Sequence, residues 1–254
     1  MRLSSGVVLP LSFLSCSITI AASFLSPQHI FSNPPSSSVL QRIPTVHESA
    51  IQARRVLHLE SLGTLSTVFP RTSSVSGATS DADHDAWTQE NRPNDLGGIP
   101  IGLMDYFADC EPTTGNPTIL AISIATSFKN AAAGSNVTLS LRWNPESHNR
   151  DYRSYSPASL PRFSMLGYLE NIPAWEVLQQ GIPLCFARYH PDATAWMPGN
   201  QIHKSEWVRL VVQEVYWIGG FGDRAYIGWI PLEDWRNVTM EEVEKIRLPG
   251  EKTK

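Results

Sequence analysis

The stretch YWIGGFGDRAYIGWI, Tyr216 to Ile230, sets Gly219, Gly220 and Gly222 between two aromatic, β-branched runs. A phosphate-cradling dinucleotide loop needs G-x-G-x-x-G after a strand and at the start of a helix. Here the glycines are spaced differently, and AYIGWI, which follows them, has the composition of another strand. The segment therefore reads as a turn or bulge between two antiparallel strands.

Outward from that turn the chain continues as strands. SEWVRLVVQEVYWI precedes it, and LGTLSTVF, GIPIGLMDYFADC, PTILAISIA, NVTLSLRW and FSMLGYLENI come earlier, mostly rich in β-branched or aromatic residues and bounded by turn formers. Helical composition is confined to four places. HESAIQARRVLHLES carries a rough apolar stripe of Ile51, Val56, Leu57 and Leu59, and SFKNAAAGS reads as a short helical turn. PAWEVLQQGIPLCFARYH reads as one helix opening at Pro173 and closing before Pro191. Thr239 with Glu242 makes a capping-box start to a terminal helix. Six to eight strands without βαβ alternation predict a mainly β fold, an antiparallel barrel with a few edge helices over residues 46–248. Two polar stretches interrupt it, 71–97 and 144–162, and loops of that length usually either serve function or lack structure.

The start of the chain has a different character. Arg2 is the one charge in residues 1–22, an apolar run follows, and Ala21, Ala22 and Ser23 supply small residues for cleavage, so 1–22 reads as a signal peptide. Residues 23–45 are Ser- and Pro-rich and read as a disordered lead-in. Ser residues and Pro10 weaken the first run as a membrane span, so no stable span is expected after cleavage. Loss of Arg2 takes the formal charge from −4 to −5, and a mildly acidic chain lacks the basic face that nucleic-acid binding needs. Cys110 and Cys185 remain after cleavage, and in an oxidising lumen they either pair or stay as two buried thiols. Asn136-Val137-Thr138 and Asn237-Val238-Thr239 are glycosylation sequons, and Asn237, in a polar turn, is the better acceptor.

Candidate chemistry is sparse. No CxxC, HExxH or calcium-loop spacing is present, so no metal site is expected. DADHDAW at 81–87 reads as a solvated loop. His190 in YHPDATAW and His203 in NQIHKSEW are the histidines that a general base or a haem ligand would use. Their simpler reading is a helix-closing residue and a surface residue. No serine sits in a G-x-S-x-G elbow, so no catalytic residue is assigned.

The co-linear series ARRVLHLESLGTLSTV, the G-I-P strand, the S-F-K-N turn, the helix ending R-Y-H-P and the strand WVRLVVQEVYWIGGFG resembles the FMN-binding split-barrel superfamily over residues 46–236. Within it the chain is most similar to the CREG family, secreted glycoproteins related to pyridoxamine-phosphate oxidases. The resemblance implies a homodimeric split barrel in the secretory pathway, extracellular or in a vacuolar or lysosomal lumen, with a binding or regulatory role and an unnamed protein partner. It implies that GGFG joins the last two barrel strands, where Gly219, Gly220 and Gly222 allow a bulge and close backbone approach. The Trp- and Tyr-rich final strands would supply dimer anchors. Flavin-binding relatives grip the FMN phosphate with Arg or Lys and Ser or Thr on the second to fourth strands and the turn before the fourth. Here GIPIGLMDYFADC has no Lys or Arg, Leu103 stands where a Ser is common, and only Ser127, Lys129 and Asn130 in the turn match. No cofactor is therefore expected, with FMN as the alternative, which would make the chain a flavin-dependent oxidoreductase, and haem as the third reading.

Overall fold

A computed structural model of the chain describes residues 42–71, 93, 95–148 and 155–252. The signal segment, most of the lead-in, the DADHDAW stretch and the centre of the second insert lie outside the described residues. The fold begins at a cap. Thr45 Oγ1 accepts from the Glu48 backbone N–H (3.1 Å) while the Glu48 carboxylate accepts from Thr45 N–H (2.7 Å). This capping box opens helix α1, Val46–Leu59.

Seven strands follow: β1 Leu62–Val68, β2 Pro100–Ala108, β3 Thr118–Ile122, β4 Val137–Arg142, β5 Arg162–Asn171, β6 Ser205–Ile218 and β7 Ile227–Ile230. All pairings are antiparallel. Around the ring the order is β3-β2-β1-β4-β5-β6, and β6 returns to β3, so six strands close a barrel. The length of β6 explains how. Its first residues, Ser205–Arg209, pair with β3, while Val215–Ile218 pair with β7. β7 thus lies outside the ring, and the glycine turn joins a barrel strand to an appended one rather than two barrel strands. Within that turn Gly220 has φ +146, and a Cβ there would sit 2.9 Å from the Ser159 carbonyl oxygen. Only glycine meets both conditions, which fits close backbone approach rather than phosphate binding.

Alternation fills the barrel. Leu65, Val137, Leu139, Leu141, Phe163, Met165, Leu210, Val215 and Trp217 point inward and are essentially inaccessible. Side chains buried this fully contribute about 1.5–3 kcal/mol each for the larger apolar types. Helix α1 and the C-terminal helices α6, Leu232–Asn237, and α7, Met240–Lys245, add Ala53, Val56, Leu57, Trp235 and Val243 to the same core. A bulge falls between Leu166 and Gly167, where a Cβ on Gly167 would collide with the Val211 carbonyl oxygen.

The barrel is split at one seam. β2 meets β3 through two residue pairs, Phe107↔Ile119 and Ala108↔Thr118, so Pro100–Tyr106 have only β1 beside them among the described residues. There the sheet loses cover, and Ile99, Leu103 and Met104 are exposed. A second, smaller apolar cluster forms outside the ring. Helix α5, Ile182–Tyr189, lays Ile182 and Phe186 against Ala108, Leu120 and Trp207.

Two elements differ from the sequence reading. The segment 173–190 is two helices, α4 Ala174–Gln179 and α5, because Gly181 adopts φ +62 between them and Pro183 then suits a first turn. The insert at 144–162 is not wholly irregular, since it holds a one-turn helix, α3 Pro145–His148, and a 3-10 turn at Pro157–Ser159.

Candidate ligand-binding face

Helix α2, Thr126–Ala132, carries the three residues that sequence analysis assigned to a flavin phosphate. Two of them face inward. Ser127 is 1 % exposed and Asn130 fully buried, with Asn130 Nδ2 donating to Thr67 Oγ1 at 3.0 Å. Lys129 alone of the three is partly exposed. Leu103 lies on β2 opposite Leu65, exposed at the split, with no hydroxyl to offer.

A different face of the barrel carries an open groove. A groove of about 390 Å³ runs over the outer side of β1, β4, β5 and β6, lined by Thr64, Ser140, Arg142, Arg162, Tyr216 and Ile218 among others. Strand register sets its floor. Thr64, Ser140, Ser164, Tyr216 and Trp229 form one row across five strands, and the Ser140 and Ser164 hydroxyls are 2.8 Å apart. Tyr216 meets Trp229 edge-on, with ring centroids 5.1 Å apart. The next row places Arg142 directly opposite Arg162, with Ile218 beyond. Arg162 Nη1 donates to the carbonyls of Ala158 (3.2 Å) and Leu160 (3.4 Å), while Arg142 is exposed. Among the described residues no carboxylate pairs with either arginine. Neither arginine stands out in the sequence, because the whole second insert separates them in the chain and hides their register. The available signal was an arginine at the polar end of each of two alternating strands.

His190 and His203 lie in different settings. His190 is buried, its Nε2 is 2.9 Å from the Phe107 carbonyl oxygen, and its ring stacks on Tyr106 at 4.2 Å. Burial pushes its pKa below the usual imidazole value, which favours a neutral ring. His203 is exposed on a turn, its N–H donating to Asn200 Oδ1. A third histidine, His58, sits 3.0 Å from the buried Asp109 carboxylate. Buried Arg54 is held by the carbonyls of Trp235 and Pro112 and lies 5.2 Å from the Trp235 ring centroid. Among the described residues no group of His, Cys, Asp or Glu could hold a metal ion.

Two carboxylates are shifted. Burial raises Asp105, at the split, to about 6. Glu111 rises to about 7 because burial and the nearby Glu176 and Glu170 outweigh Arg209, whose Nε lies 2.9 Å away. Next to it, Cys110 is joined to Cys185 by a disulfide with Cα atoms 5.8 Å apart. Of the sequons, Asn237 ends α6 and is exposed, and Asn136, just before β4, is exposed too. Among the described residues no helix is long and apolar enough to cross a membrane.

Comparison with solved structures finds the same fold in a heme-binding protein from Mycobacterium smegmatis, at 16% identity and TM-score 0.52, over 77% of this chain and 61% of that one. The chain thus spans less than two thirds of that protein's length. Weaker likenesses include HutZ, a heme storage protein from Vibrio cholerae (11% identity, TM-score 0.44, 68% and 95% covered). A FAD-binding protein from Mesorhizobium loti gives 13% identity, TM-score 0.39, and 69% and 95% covered. No curated protein matches the chain. The profile of the CREG β-barrel family matches residues 44–237, nearly the whole described barrel, and the chain belongs to that family.

Proposed function

We propose that this protein is a secreted or vacuole- or lysosome-lumen glycoprotein whose barrel binds or regulates a partner without catalysing a reaction. The observation that carries the reading is the burial of Ser127 and Asn130, the expected phosphate-gripping residues. A dianionic phosphate needs cationic or N–H partners that it can reach. With β2 lacking any Lys or Arg, Lys129 is the one cation of that turn left to supply such a contact. The Cys110–Cys185 disulfide supports an oxidising compartment. The test is titration of FMN while following flavin fluorescence, with no saturable quenching expected. Quenching that saturates at low micromolar FMN and disappears in Lys129→Ala would instead make the flavin-dependent oxidoreductase the first reading. A Soret band in the purified native protein would favour haem.

The same proposal includes a homodimer. Ile99, Leu103 and Met104 are exposed beside a β2 edge that no described strand pairs, and an apolar strand edge left open invites pairing. A second copy covers it with twofold symmetry, the commonest oligomeric arrangement. Light scattering at micromolar concentration is expected to give twice the chain mass, and a monomer mass would refute the dimer. Glycan at Asn237 is expected to be fuller than at Asn136, which peptide mapping after glycosidase treatment reads directly.

A further inference from the structure

The outer groove is where the chain's charge and shape disagree most. The protein is acidic overall, yet Arg142 and Arg162 stand opposite each other on neighbouring strands and no described carboxylate pairs with them. Like charges directly opposite in an antiparallel pair repel. An anion between them would turn that repulsion into two charge-assisted contacts, and the guanidinium fork suits a tetrahedral oxyanion. Beside the pair the groove is walled by Ile218 and floored by Ser140 and Ser164, whose hydroxyls bond each other, with Tyr216 opposite Ser164 in the same row.

We infer that this groove binds a small ester of a tetrahedral oxyanion, phosphate or sulfate, carried on a single-ring body. The anion lies between Arg142 and Arg162, and the ring lies over the serine row against Tyr216. Successive same-face residues on a strand are roughly 7 Å apart, which is room for one ring joined directly to the ester oxygen. The ribityl chain of FMN would carry its ring past Tyr216, so this ligand class differs from a flavin. The site is also separate from α2. Asn130 joins β1 at Thr67, whereas the groove joins it at Thr64, roughly 10 Å along the strand.

Calorimetric titration of the full chain with phenyl phosphate and phenyl sulfate tests the inference. Saturable binding of either is expected, weakened about tenfold or more in Arg142→Ser and in Arg162→Ser and unchanged in Lys129→Ala. The tighter of the two esters identifies the anion. Tyr216→Ala is expected to weaken phenyl phosphate while leaving inorganic phosphate alone. Arg162 also holds the Ala158 and Leu160 carbonyls, so if its variant unfolds, exposed Arg142→Ser decides the question. No saturation at millimolar ester, or equal affinity in Arg142→Ser and the parent, would overturn the inference. So would inorganic phosphate binding as tightly as phenyl phosphate, since the ring would then contribute nothing. A fourth result also overturns it. If Arg142→Glu turned a dimer into a monomer while neither ester bound, the groove would be an interface between copies.

Discussion

The β5–β6 ladder carries arginine at both ends, in opposite circumstances. At one end Arg209 pairs across to Glu170 and has Glu111 and Glu176 within ion-pair distance. At the other end Arg162 faces Ile218 on β6 and a second arginine on β4. Arg209 is nearly buried among three carboxylates, and burial first, with the charges of Glu176 and Glu170 behind it, lifts Glu111 to about 7. Arg142 and Arg162 have more positive charge than their surroundings answer. The first end is completed by the protein itself, whereas no carboxylate among the described residues completes the second. Residue type alone does not separate a structural cation from a binding one; the charge count around it does.

The largest expected effect falls on the completed end. Cys110 and Cys185 are 75 residues apart and tie the segment just after β2 to α5, so replacing both by Ser costs about 4 kcal/mol in the chain-entropy view. Denaturant unfolding in oxidising buffer measures it, and a loss under about 1 kcal/mol would mean the barrel holds that end without the bond. Arg209→Ala follows, at about 2 kcal/mol at neutral pH, because it leaves Glu176 and the ionised fraction of Glu111 without the cation they share. The cost should shrink near pH 5, where Glu111 takes up a proton. An equal cost at both pH values would show that the arginine acts by packing.

Third comes pH itself. The folded pKa of Glu111, about 7, lies above its ordinary 4.5, so between those values the folded chain holds a proton the unfolded chain has lost. Its contribution is full below about 4.5 and is lost as pH rises through about 7. Asp105, raised to about 6, acts with the same sign. Glu111→Gln should therefore flatten the fall in melting temperature between pH 5 and 8, and an unchanged slope would place the titration elsewhere.

Much of this contrast was hidden in the chain. The strands were legible, because alternation such as Val137, Leu139, Leu141 against Thr138, Ser140, Arg142 is written locally. Register was not. Nothing local states that Arg142 faces Arg162 across the insert, or that β6 is long enough to close on β3 and still hold β7. The break at Gly181 was visible as a glycine, yet its φ is a tertiary outcome. Ser127 and Asn130 matched a motif by identity, but their burial depends on how α2 packs against Thr67. Motif residues are legible one at a time, while charge balance around a site is a property of assembled strands.

The smallest expected effect concerns the open end and needs no ligand. Opposed like charges on adjacent strands destabilise by roughly 0.2–1 kcal/mol, and this repulsion is long-ranged enough to be screened. At 10 mM ionic strength the screening length is about 30 Å, and at 150 mM about 8 Å, so added salt should relieve the repulsion between Arg142 and Arg162. The parent protein should therefore gain a few tenths of a kcal/mol more than Arg142→Ser on moving between those conditions. Arg142→Ser should be the more stable of the two at low salt. The comparison uses a chloride salt, since sulfate would also occupy the groove, and each protein serves as its own low-salt reference. Arg162→Ser and the double variant complete the cycle, which removes the interactions of Arg142 with other charges. An Arg142→Ser protein less stable than the parent at 10 mM salt would mean that an unseen negative charge already answers the pair. The two ends of the ladder would then be alike.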